Sequence, residues 1–257
     1  MASRFLGLLL AAAFVVLPAA LPAAPYLVKD LDTSPAQEGR VLPADRGTGQ
    51  GVTYFAAGDP AHGVELWRSD GTPGGTERLT DICAGRCSSL PAAITVHAGQ
   101  VFFKANDGFS GDELWVSDGT PGSERRVRDL CPGGCSSSAG PVEEVGGRLL
   151  FQLYFPDDPS RTELWQTDGT RDGTVRVKAL CSDGCVASTH LTPAGERALF
   201  LVVHAAGELE LWVTDGSADG TRPLREDGPD LSLRRPRQPT AGRRLRLDLG
   251  RRRALAQ

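Results

Sequence analysis

"ELWVSDGTPGS", running from Glu113 to Ser123, is written four times in this chain with small changes. The other copies are "ELWRSDGTPGG" from Glu65, "ELWQTDGTRDG" from Glu163 and "ELWVTDGSADG" from Glu210. The starts lie 48, 50 and 47 residues apart. Periods of this length belong to solenoids, propellers or arrays. Set in register on the tryptophans, each unit shows the same sequence of runs. A turn ("AGQ" at Ala98, "VGG" at Val145, "AGE" at Ala194) leads into an apolar run starting near Val52, Val101, Leu149 or Ala198. A polar loop follows, then Glu-Leu-Trp, Asp-Gly-Thr and a closing run such as "RRVRDL", Arg125 to Leu130. A further run, "AAITVHA" from Ala92 to Ala98, opens the next unit.

Runs of four to seven residues rich in Val, Leu, Phe, Thr and Trp, punctuated by turn chemistry, are strand and hairpin signals. No window sustains a helical period. The sequence therefore predicts an all-β fold. Its expected form is a β-propeller of four full four-stranded blades of about 48 residues, plus a partial or composite fifth. An open, truncated blade array is the alternative. One four-stranded sheet cannot bury both its apolar faces alone, whereas stacked sheets bury them against their neighbours.

Trp67, Trp115, Trp165 and Trp212 hold equivalent places on the third strand of each unit. They are expected to fill the wedge between adjacent sheets, with one partner for each ring N–H. The following Asp70, Asp118, Asp168 and Asp215 each precede a glycine. Asp-Gly is a turn signal, with aspartate capping its own backbone and glycine supplying positive φ. Recurrence in every unit points to structural roles, because site chemistry belongs to one unit rather than to all.

The eight-residue pattern Glu-Leu-Trp-x-x-Asp-Gly-Thr resembles the bacterial ELWxxDGT-repeat family. The resemblance spans residues 65 to 221 and implies an exported repeat protein. It carries no catalytic residues. The fourth copy departs from it, with Ser217 in place of threonine and no cysteine pair after it.

The chain opens with "MASRFLGLLLAAAFVVLPAALPAA". One arginine, an apolar run and then small residues with prolines form the order of a secretory signal peptide, assigned to residues 1–24. The run is short for a membrane span, which needs roughly 20 apolar residues, so no span is expected after its removal. An uncleaved anchor is the other reading. Six cysteines fit an oxidising compartment. They come as Cys83 and Cys87, Cys131 and Cys135, Cys181 and Cys185, each pair around a Gly-containing loop. Three local disulfides are the simplest connectivity, although six cysteines allow fifteen pairings. Zinc fits less well, because each pair sits in its own unit with few histidines nearby.

Residues 25–227 carry the repeats, and residues 228–257 form an arginine-rich tail. A net charge of −4 gives no reason to expect a nucleic-acid partner. The tail is a solvated end or an anchor on anionic polymer. "LVKDL" (Leu27 to Leu31) resembles a closing run, and "PTAGRRLRLDL" (Pro239 to Leu249) resembles the first two runs of a fifth unit. Together they could form a composite sheet that closes a ring.

What differs between units is the loop before each Glu-Leu-Trp: "GDPAHGV" from Gly58, "NDGFSGD" from Asn106 and "FPDDPSRT" from Phe155. Binding residues concentrate on loops held by a rigid frame. Asp59, His62, Asp107, Asp157 and Asp158 are thus the candidate ligand-loop residues. Calcium is the weaker reading of these carboxylates, since its sites gather six or more oxygens in dense acidic runs. No cofactor is expected. No nucleophile elbow, His-Glu-x-x-His or phosphate loop is present. The expected function is a non-catalytic binding or scaffold module for protein or glycan. The alternatives are a secreted propeller hydrolase with an axial site and a cell-surface adhesion protein.

Overall fold

The computed structural model describes residues 41–158, 160–181, 185–204 and 207–224. The segments resembling a leader, a first closing strand and a fifth unit all lie outside the described residues. Eighteen strands form four antiparallel sheets, and no helix occurs among the described residues. Sheet one holds β1 (Val41–Gly49), β2 (Val52–Asp59), β3 (Gly63–Ser69) and β4 (Glu77–Arg78). Sheet two holds β5 (Ala92–His97), β6 (Gln100–Asn106), β7 (Asp112–Ser117) and β8 (Arg125–Arg126). Sheet three holds β9 (Ser138–Ala139), β10 (Glu143–Val145), β11 (Arg148–Tyr154), β12 (Thr162–Thr167) and β13 (Val175–Ala179). Sheet four holds β14 (Cys185–Ser188), β15 (Thr192–Ala194), β16 (Arg197–His204), β17 (Leu209–Thr214) and β18 (Arg222–Pro223).

Each sheet is a meander in chain order. The Glu-Leu-Trp strand pairs in register with the apolar run before it, as in Phe103 opposite Trp115 and Phe151 opposite Trp165. Alternation along these strands puts one set of side chains against each neighbouring sheet. The core accordingly lies between successive sheets. Tyr54 and Leu66 of sheet one meet Ile94 and Phe103 of sheet two. Phe102 and Val116 of sheet two meet Phe151 and Leu153 of sheet three. Leu150 and Leu164 of sheet three meet Phe200 and Val202 of sheet four.

Arginine rungs tie the sheets along the Asp-Gly-Thr edge. Arg68 donates to the Gly119 carbonyl at 2.8 Å, Arg125 to Gly169 at 2.6 Å and Arg148 to Gly216 at 3.5 Å. Each rung runs from one sheet to the turn of the next.

Two expectations about strands need correcting. The closing run is short in three sheets, where only two residues of it pair as strand. In sheet two the N–H of that run's last residue, Leu130, and that of Cys131 after it turn to the Glu113 carboxylate instead. The opening run is also irregular. It slips register between Ala92 and Thr95, with Ala93 at φ 54°. In sheets three and four it splits into two short strands, β9 with β10 and β14 with β15. Pro141, which has no N–H to give the ladder, sits in the first of these gaps.

Among the described residues no helix is long and apolar enough to cross a membrane.

Candidate functional site

Each third strand starts at a variable loop and ends at an Asp-Gly-Thr turn, so the two features occupy opposite edges of every sheet. The turn edge is uniform. Asp70, Asp118, Asp168 and Asp215 each accept from the backbone N–H two residues on, at 2.8–2.9 Å, and from that residue's hydroxyl at 2.6–2.7 Å. The hydroxyl bonds are the main cause that holds these exposed carboxyls below the ordinary range. The glycines that follow lie at φ between 83° and 87°. Both bonds land on the Oδ1 of each aspartate and serve the turn itself.

Three of the tryptophans sit between their own sheet and the preceding one. Trp115 packs beside the layer joining sheets one and two, Trp165 between two and three, and Trp212 between three and four. Their ring N–H groups donate to the Ala105 carbonyl (3.1 Å), Glu163 (2.8 Å) and Glu210 (2.9 Å). Trp67 is buried, yet its ring N–H has no partner among the described residues.

The loop edge is different in each unit. Asp59 accepts from the Ala61 and His62 N–H groups and from the His62 ring at 2.9 Å. Burial works to raise the Asp59 carboxyl, but these bonds together hold it low. Asp107 caps Phe109 and Ser110 in the same manner, at 2.9 and 2.7 Å. Asp158 accepts from the Ser160 hydroxyl, and Asp157 is exposed. In this third loop the Arg161 guanidinium lies 3.8 Å over the Phe155 ring. The loop aspartates stay in their separate loops. Among the described residues no cluster of His, Cys, Asp or Glu is suited to a metal ion.

Cysteine loops border the same edge. Cys83–Cys87 and Cys131–Cys135 are disulfides with Cα atoms 5.1 and 5.5 Å apart. Cys181 is disulfide-bonded too, while the side chain of Cys185 lies outside the described residues. The second variable loop rests on the first disulfide. A Cβ placed at Gly108 would come within 3.1 Å of the Cys83 sulfur, and Gly108 has φ 82°, so only glycine suits this seat. The next residue, Phe109, is 89% exposed.

Sequence reasoning passed over the first residue of Glu-Leu-Trp. Glu65 is fully buried and accepts from the Thr80 and Ser89 hydroxyls (2.8 and 2.7 Å) and from the Ile82 and Cys83 N–H groups (3.2 Å each). Glu113 repeats this with Ser137 (2.8 Å), Leu130 (3.1 Å) and Cys131 (3.2 Å). Burial pushes its carboxyl up to about 7. These carboxylates fasten the disulfide loops to the third strands. The signal was readable: "CSS" follows both loops, as Cys87-Ser88-Ser89 and Cys135-Ser136-Ser137.

Also missed was a cavity of about 380 Å³ among sheets two, three and four. It opens where the first strands bulge or split, so Ala92, Pro141 and Ser188 line it. Lys104 and Tyr154 enter from the loop-edge ends of β6 and β11, and Gln152 and His190 complete the wall. Lys104 is paired with Asp112 at 3.0 Å. Burial raises the carboxyl of Glu143, and the positive field of His190 opposes that rise.

No protein-family model matches the chain, and no curated protein matches it. Similarity does extend to solved structures. A puromycin hydrolase is 17% identical over 73% of this chain and 32% of its own, with a TM-score of 0.46. TolB from Acinetobacter baumannii is 14% identical over 70% of this chain and 43% of its own, with a TM-score of 0.45. A prolyl endopeptidase is 13% identical over 67% of this chain and 24% of its own, with a TM-score of 0.45. The chain thus spans less than half the length of each of these proteins. With each TM-score below 0.5, none of these likenesses assigns it an activity.

Proposed function

We propose that this chain is an exported, non-catalytic binding module of the ELWxxDGT-repeat type, which docks a protein partner on its loop edge. One observation carries the reading. Phe109 stands 89% exposed on a loop pinned by Asp107 and seated on the Cys83–Cys87 disulfide. A large apolar ring held rigid in water costs little further entropy when a partner covers it, and buried aromatics dominate protein interfaces. The disulfides and the leader-like residues 1–24 support export.

A photo-crosslinking residue placed at position 109 tests this in the exported fraction of the source cells. A discrete protein adduct is expected at 109 and none at position 73, on the opposite edge. Equal labelling at both positions, or adducts to glycan alone, would refute protein docking at this edge.

The architecture belongs to the same proposal. The four sheets are four blades of a propeller, closed by a composite fifth built from residues 27–31 and 239–249. Trp67 supports this. Its three counterparts pack toward a preceding sheet, and Trp67 is buried although no described sheet precedes it. Ending the chain at residue 224 should expose Trp67, with red-shifted emission and faster acrylamide quenching. Unchanged fluorescence contradicts the composite sheet.

A further inference from the structure

We infer that the cavity among sheets two, three and four is a second binding site, for a neutral sugar of one or two rings. Its volume of about 380 Å³ falls at the small end of ligand pockets. Its lysine already has a partner: the Lys104 ammonium is bridged to Asp112 at 3.0 Å. An acidic ligand would have to compete with that carboxylate for the ammonium. A cationic one would find the carboxylate already engaged.

What lacks a partner is a neutral amide. Gln152 is 7% exposed, lines the cavity and has an Nε2 with no hydrogen-bond acceptor among the described residues. A buried donor without an acceptor is uncommon and calls for an explanation. The terminal torsion of a glutamine is broad and roughly two-fold, so the amide can turn its N–H to an oxygen that enters the cavity. Around it the wall alternates in character. Ala92, Pro141 and Leu153 give apolar surface, and Ser188 and Tyr154 bring hydroxyls. A pyranose has the complementary alternation, with C–H faces and rim hydroxyls that both donate and accept.

The strand irregularities fit this use. Regular first strands would fill the same space with ladder and side chains, whereas the bulge at Ala93 and the gap at Pro141 leave it open. Bulges next to binding sites are a recurrent device.

The test uses the full mature chain, titrated with D-glucose, D-galactose, N-acetyl-D-glucosamine and lactose. D-galacturonate serves as the acidic comparator. Saturation-transfer NMR detects contact and calorimetry gives Kd. At least one neutral sugar should bind with a Kd below about 1 mM, and galacturonate at least tenfold more weakly than galactose. Gln152→Leu should weaken the bound sugar tenfold or more, and Ala92→Phe should abolish its binding by filling the cavity. Melting curves check both variants, and Ala92→Phe decides the matter if Gln152→Leu does not fold. No saturable neutral sugar, tighter galacturonate binding, or unaltered binding in the folded variants would each overturn the inference. Phe109→Ser should leave sugar binding intact, and Gln152→Leu should leave crosslinking at position 109 intact, so the cavity and the loop edge succeed or fail separately.

Discussion

The first two Glu-Leu-Trp glutamates and the last two occupy the same place on the same strand and make different bonds. Glu65 and Glu113 turn toward a cysteine loop and hold its backbone N–H groups. Glu163 and Glu210 turn to the tryptophan two residues on, at 2.8 and 2.9 Å. The serine after each cysteine loop accounts for the difference. Ser89 and Ser137 donate to the first pair. The third unit has Ala187 at that place and the fourth has no cysteine loop. Glu163 compensates with Arg161 and Arg176, each at 3.0 Å. One position in a repeat thus serves loop fastening or ring satisfaction, according to which donor the rest of the unit supplies.

Removing the carboxylates should expose this contrast most sharply. Glu65→Ala strands four donors, three of them buried, and should cost about 3–4 kcal/mol in urea unfolding. Glu210→Ala, at a partly exposed site, should cost about 1 kcal/mol or less. Equal losses would mean that the two geometries are energetically the same.

The pH response should split in the same way. Glu113 has a folded value near 7, above its ordinary 4.5, so the folded state holds this proton more tightly than the unfolded chain. Its stabilisation is complete below the unfolded value, declines as pH rises between the two and is gone above about 7, a change of about 3 kcal/mol. Glu163 is the reverse. Burial raises it, but the bonds from Arg161, Trp165 and Arg176 win and hold it low. Its stabilisation is present above the unfolded value and disappears as pH falls through the folded one. Glu113→Gln should flatten the decline toward neutral pH, and Glu163→Gln should flatten the acid limb. A stability profile unchanged by either substitution would remove the electrostatic part of the comparison.

Smaller effects follow. Reducing Cys131–Cys135 should cost about 2 kcal/mol at most, because so short a loop restrains little chain entropy. Ser137→Ala should cost about 1–2 kcal/mol, while Ser160→Ala, at an exposed hydroxyl, stays within about 0.5 kcal/mol. If Ser137→Ala proves as mild as Ser160→Ala, the hydroxyl is not what steers Glu113.

Much of the frame was legible in the sequence, and for local reasons. Asp-Gly-Thr chooses its turn by bonds within six or seven residues, and the Glu-Leu-Trp strand announces itself by repetition. The cavity was not legible. It depends on where the first strands of three sheets slip or split, and a slip is decided by the partner strand rather than by the run itself. "AAITVHA" reads as a continuous strand, yet Ala93 takes φ 54° in it. The buried glutamates fell between these cases. Their donors lie 15 to 24 residues away, in loops that earned notice only for their cysteines. Phe109 sat inside a loop singled out for its variability, but only the fold shows that nothing covers its ring.

The arginine rungs have a consequence for how such a chain can lengthen. Sheets one to three each supply a guanidinium that reaches forward, and sheets two to four each supply a turn carbonyl that receives one. A middle unit therefore carries both halves of a head-to-tail joint. A gene segment that duplicates within the array brings its own plug and socket, and the new copy can engage its neighbours without any new contact being invented. Heterologous joints of this kind do not fix the number of copies by themselves. That number is set by the angle between neighbouring sheets and by whatever the two ends of the chain provide.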